Sequence, residues 1–139
     1  MKRNTSARPL GFIALLLTAL CFSLTSCNVK EGEGGLGTIT GKIWALDYNA
    51  ELTNLLGQYY APGENVYIVY GDDEVYGDQM DTHHDGTFRF DFLRKGTYHI
   101  YAYSKDTTGV SIAELPIIKT VEITDRKQVV DIGELVIVK

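Results

Sequence analysis

At 139 residues the chain has the length of a single domain. Its 45% hydrophobic content is enough for one core and too high for a disordered polymer. The net charge of −5 includes three cations, Lys2, Arg3 and Arg8, in an opening segment that holds no acid; without those three it falls to −8. So acidic a domain repels phosphate backbones, and no block of lysines and arginines offsets the repulsion, which argues against nucleic acid as a partner.

Residues 1–26 have the parts of a secretory signal: a basic start, an apolar run from Leu10 to Leu20, and a small-residue processing site. The apolar run is too short for a permanent membrane helix, which takes about 20 such residues. The site itself, Leu24-Thr25-Ser26-Cys27, resembles the lipobox of bacterial lipoproteins. That resemblance implies a lipid on Cys27 and attachment to a membrane through it. Cys21 leaves with the signal, so no second thiol remains for a disulfide or a thiolate metal site. Residues 27–36 read as a polar, glycine-rich tether leading to a domain over 37–139. Lys30, Glu31 and Glu33 just behind the cysteine resemble the surface-export signal of some Gram-negative lineages. They imply an outer-membrane lipoprotein at the cell surface, with a periplasm-facing position as the alternative.

Past the tether, short β-type runs alternate with turn residues, the pattern of an all-β sandwich or barrel. Thr38 to Leu46 places Ile39, Ile43 and Ala45 on one face and Thr40, Lys42 and Trp44 on the other. Asn49 to Gly57 reads as a short helix between the first two strands, with Asn49 as N-cap, Leu52, Leu55 and Leu56 as its apolar stripe and Gly57 as its stop. Asn65 to Tyr70, Glu74 to Thr82, Thr87 to Leu93, Thr97 to Tyr103, Ile117 to Thr124 and Val129 to Val138 follow as strands. The total is seven, the number a small Greek-key sandwich of two antiparallel layers uses. Alternation directs Phe88, Phe90, Tyr98, Ile100 and Ala102 inward and Arg89, Asp91, His99, Tyr101 and Tyr103 outward. Gly86 and Gly96 stand where hairpin turns call for positive φ.

The stretch Asp85-Gly86-Thr87-Phe88-Arg89-Phe90-Asp91-Phe92-Leu93-Arg94-Lys95-Gly96-Thr97-Tyr98-His99-Ile100-Tyr101-Ala102 resembles the signature of carboxypeptidase regulatory-like domains. Gly37, Ile39, Gly41 and Ile43 are similar to that family's first strand, and Glu64 to Ile68 stands where another of its strands is usual. The resemblance covers about Gly37 to Val138 and implies a transthyretin-like, or prealbumin-like, sandwich. The helical insert and the lack of Gly-Ala before Val66 depart from it.

Chemistry-bearing residues are few. Met80 to Phe88 (MDTHHDGTF) crowds His83 and His84 among aspartates, but Asp85-Gly86 is a turn signal and adjacent histidines on an extended chain point to opposite faces. The segment reads as a turn. The chain does not end in the Tyr-Arg-Gly-Ser of hydroxyisourate hydrolases and has no His-x-His pair of the kind intradiol dioxygenases use. No catalytic residue and no cofactor is expected. Asp72, Asp73, Glu74, Asp78, Asp81 and Asp85 are weak calcium candidates, since hard cations favour such oxygens, although no EF-hand spacing is present. If their strands are neighbours, as the resemblance implies, Tyr67, Tyr101 and Tyr103 share an outer sheet face, with Trp44 outward on the first strand and Tyr59 and Tyr60 beside the insert. Exposed aromatics anchor protein partners or stack on sugars. The expectation is a lipid-anchored envelope sandwich, non-catalytic, serving as a protein-interaction or structural accessory module; the alternative is a glycan-binding accessory.

Overall fold

The computed structural model describes residues 29–108 and 113–139. The signal segment and Cys27 lie outside the described residues. Eight strands follow one another: β1 (Glu33–Tyr48), β2 (Leu55–Tyr60), β3 (Asn65–Tyr70), β4 (Asp78–Asp81), β5 (Thr87–Leu93), β6 (Gly96–Ser104), β7 (Leu115–Ile123) and β8 (Val129–Val138). The first sheet is built on β1, which pairs antiparallel with β2 and β5 and parallel with β8. The second runs β4-β3-β6-β7, all antiparallel. Between the two lies one core, which includes Ile39, Ile43, Phe88, Tyr98, Ile100 and Leu135, each at most 1% exposed.

Strand periodicity builds that core. Along β1 the residues Ile39, Ile43 and Ala45 are fully buried while Thr40, Lys42 and Trp44 between them are not. Phe88 and Phe90 on β5, and Tyr98, Ile100 and Ala102 on β6, point inward as alternation requires. Gly86 holds the corner where β1 passes from β5 to β2. Its carbonyl accepts the Ile43 amide, and the Ile43 carbonyl accepts the Ala61 amide. At Gly86 φ is +75°, and an added Cβ would lie 2.8 Å from Tyr60 Cβ and 3.0 Å from the Ile43 carbonyl. Glycine alone fits there.

Three features differ from the sequence expectation. The segment Asn49–Gly57 is not a helix. Asn49 does cap backbone amides, but its Oδ1 accepts Thr53 N at 2.8 Å and Asn54 N at 2.9 Å, closing a loop in which Leu52 takes φ of 53°. From Leu55 the chain extends and pairs with Trp44 to Tyr48, so the count of strands is eight, not seven. A helix of nine residues gains little by itself, whereas β2 satisfies the open edge of β1. Secondly, β1 begins at Glu33, inside the stretch read as tether. The buried Tyr98 hydroxyl accepts the Gly32 amide at 3.1 Å and donates to the Arg94 carbonyl at 2.8 Å. This is the geometry of a tyrosine corner, and it holds the incoming chain against the β5–β6 turn. Thirdly, β8 runs parallel to β1, pairing Thr38 with Val129 through Leu46 with Val138. The layers are therefore not wholly antiparallel.

A smaller irregularity sits at the end of β5. Alternation would carry Phe92 inward behind Phe88 and Phe90. Instead Phe92 has φ of 60° and is 68% exposed, and Leu93, at 2%, takes the inward place. The register slips between Gly37 and Ile39 opposite, as a β-bulge requires.

Candidate functional site

The expected aromatic residues fall into two clusters on different sheets. On the second sheet, β3 and β6 are neighbours and Tyr67 faces Tyr101 directly. Their rings stack with centroids 4.9 Å apart and planes 12° from parallel. Tyr103 meets Tyr67 and Tyr101 edge-on at 5.7 and 5.6 Å. Pairing with β7 sets Ile118 opposite Tyr101 and Pro116 opposite Tyr103. Tyr101, Tyr103, Pro116 and Ile118, together with Val69, His99 and the loop residues Glu74, Val75 and Tyr76, line a groove of about 510 Å³ on the outer face, with Tyr67 stacked behind Tyr101. Val75 is 69% exposed, Ile118 56% and Tyr103 43%. Burial, with help from the other three tyrosines, raises the Tyr101 pKa above its ordinary value.

Tyr76 was not among the expected site residues, yet its ring lies 5.1 Å from Tyr67. The sequence pattern places it in a strand running from Glu74 to Thr82, but that strand spans only Asp78–Asp81, and Tyr76 lies in the acid-rich loop before it, where period 2 does not apply. Only the return of that loop over β3 brings it in.

The second cluster is on the outer face of the first sheet. Trp44 and Tyr60 are register partners with rings at 4.8 Å and 75°. Lys42 Nζ stands 4.5 Å from the Tyr60 centroid, and the Tyr60 hydroxyl donates to Glu134 Oε1 at 2.7 Å. Hydrogen bonding to that carboxylate raises the Tyr60 pKa. Tyr59 pairs with the buried Ala45, so it points away from Tyr60. The structure therefore does not join Trp44, Tyr59 and Tyr60 to the Tyr67 groove.

The acidic residues do not converge either. Among the described residues no three His, Cys, Asp or Glu side chains gather as a metal site would require. Asp73 pairs with Lys30, and Asp85 with Lys42 and the Thr87 hydroxyl. The hydrogen bond from Thr87 is the main cause holding the Asp85 carboxyl below its usual range. Asp78 accepts the Gln79 amide, and Asp72 and Asp81 stay in exposed positions. His83 and His84 occupy an exposed turn closed by the Gly86 amide on the His83 carbonyl.

No family model matches the chain, and no curated protein matches it. Among solved structures, a Pseudomonas aeruginosa protein provisionally assigned to carbohydrate binding aligns over 78% of this chain and 91% of its own, at 15% identity and a TM-score of 0.46. A 9R-lipoxygenase from Cyanothece aligns over 94% of this chain and 21% of its own, at 16% identity and a TM-score of 0.37. Likenesses this loose carry no inference about function.

Proposed function

We propose that the chain is a lipid-anchored envelope sandwich, non-catalytic, that docks a protein partner in the groove walled by Tyr76, Tyr101 and Tyr103, with Tyr67 stacked on Tyr101. The observation that carries this reading is the exposed run of Val75, Ile118 and Tyr103 around stacked tyrosines. Large apolar side chains left open beside rigid aromatics are the composition of a protein contact, where such anchors supply most of the binding energy. Glu74 lines the groove, and Asp72, Asp73 and Asp78 stand on the same loop and at the start of β4, Asp73 paired with Lys30. They match a partner segment that is basic as well as apolar.

The glycan alternative fits less well. Stacking on a sugar needs a free ring face. Tyr67 and Tyr101 spend a face on one another, and Tyr60 offers one of its own to Lys42. The resemblance to carboxypeptidase regulatory-like domains supports a prealbumin-like, Greek-key accessory module, and the lipobox-like Leu24 to Cys27 supports the anchor and an outer-membrane, cell-surface position.

A photo-crosslinking residue at position 118 tests the reading. It should capture one partner whose binding to the purified full chain is lost in Tyr101→Ala and in Ile118→Lys, and retained in Lys42→Ala on the other sheet. Equal capture from a probe at position 42 would end the groove assignment. Glycan-array binding lost in Tyr101→Ala would replace the protein partner by a sugar.

A further inference from the structure

The end of the sandwich where the chain enters has a character of its own. Because β1 and β8 run parallel and β5 opposes β1, the start of β1, the end of β5 with its turn, and the β7–β8 turn all lie together there. Arg94, Lys95 and Arg126 line a groove of about 450 Å³ shared with Val29, Leu36 and Leu93. None of the three cations has an ion pair among the described residues, whereas Lys30, Lys42, Arg89 and Lys139 each have one. Glu31, Glu33 and Asp125 are acids at that end without an ion pair among the described residues, and the β3–β4 loop brings Asp72 and Asp73 there too, Asp73 paired with Lys30; none of the five lines the groove. In an acidic domain this basic concentration runs against the overall charge.

Exposed apolar side chains stand at the same end. Val29 is 63% exposed, Leu36 49%, Phe92 68% and Val129 62%. Phe92 is the telling one. Its left-handed backbone is unfavourable for a bulky residue, and that conformation is what turns the ring out of the core. A strained residue that exposes an aromatic is explained if the ring has somewhere to go.

We propose that this end lies flat on an anionic bilayer surface, with Phe92, Leu36 and Val29 reaching the acyl boundary and Arg94, Lys95 and Arg126 meeting lipid phosphates. Mixed basic and aromatic surfaces bind membranes in this way, through apolar burial together with attraction to anionic headgroups. Two observations choose a bilayer over a protein partner. The groove itself is lined by three cations and no acid, complementary to phosphate, and the chain outside the described residues, with its apolar run from Leu10 to Leu20 and Cys27, joins the fold at this end through Val29. The inference deepens the anchored reading: a lipid on Cys27 holds the protein near the membrane, and this surface fixes its orientation. The tyrosine groove, on an outer sheet face rather than at this end, is then left open to the aqueous side.

The test uses the full chain carrying Trp44→Phe and Phe92→Trp, mixed with vesicles of phosphatidylcholine alone or with phosphatidylglycerol, the acyl chains brominated as quenchers. Flotation reports attachment, and quenching of the new tryptophan reports docking. The expected result is a floating protein, quenched on anionic vesicles and far less on neutral ones. Replacing Arg94, Lys95 and Arg126 by glutamine should leave flotation intact and abolish the quenching. A Leu36→Trp variant should behave like Phe92→Trp, and the native chain, with Trp44 at mid-strand, should stay unquenched. A floating protein whose tryptophan at 92 or 36 is unquenched overturns the docking and spares the anchor. A protein that does not float overturns the anchor; quenching on titration with anionic vesicles then upholds the docking, and its absence overturns that too.

Discussion

Single side chains decide much of what this domain can tolerate. Tyr98 is fully buried, and its hydroxyl accepts one backbone amide and donates to one carbonyl from segments that would otherwise separate. Tyr98→Phe keeps the ring and leaves both groups without their partner, so it should lower unfolding free energy by about 1–3 kcal/mol in a urea titration. Amide exchange at Gly32 should quicken at the same time. Tyr70 gives a pH dependence. Burial is the main cause that pushes its pKa up to about 12, with Glu33, Asp78 and Tyr98 adding to it. The unfolded chain ionises near 10, so the unfolded state loses its proton first. The stabilisation is whole below pH 10 and disappears as pH rises toward 12. A stability profile over that window should fall, and Tyr70→Phe should make the fall shallower; an unchanged slope would contradict the burial argument.

The elements show how edges are managed. In the second sheet β7 is an edge strand and presents Leu115, Ile117 and Ile118 to solvent. Long apolar edges invite pairing between molecules, and an inward-pointing lysine is one defence. Lys119 takes that part: its Nζ donates to the carbonyls of Ile132 at 2.6 Å and Glu134 at 2.9 Å, satisfying the edge of β8 across the sandwich. Lys119→Ala should therefore increase self-association, seen as concentration-dependent light scattering, more than it lowers thermal stability. A strictly monomeric variant would show that the lysine guards nothing. The β1–β2 loop teaches a different lesson. Asn49, Leu52 and Leu55 satisfy a helix pattern, and Asn49 does bond the amides of Thr53 and Asn54. The same local chemistry serves a loop when a long strand nearby needs a partner for its edge.

Over the whole molecule, the pairings that close the fold are distant in sequence. Strand β1 pairs with β8 some ninety positions further along, Thr38 against Val129 and Leu46 against Val138. Loop closure has to precede the gain from such contacts, which slows folding. Refolding from denaturant should show its main phase in about the millisecond-to-second range by stopped-flow fluorescence of Trp44. Completion within microseconds would mean that local contacts dominate after all.

By itself the sequence determined the all-β class, the inward set from Ile39 through Phe88 and Phe90 to Tyr98 and Ile100, the turn at Gly86 and the outward direction of Tyr101 and Tyr103 on their strand. Those follow from period 2 and turn chemistry, which are local rules written residue by residue. The tertiary structure alone decided that Leu55 to Tyr60 is a strand, that β1 reaches back to Glu33, that Phe92 turns outward and that Tyr76 closes the groove. Each depends on which backbone edge or side chain lies across from it, and that partner comes from a remote part of the chain. The two surfaces with functional promise, the tyrosine groove and the basic, apolar end, belong to the second kind, because each is assembled from strands and loops that meet only in the folded sandwich.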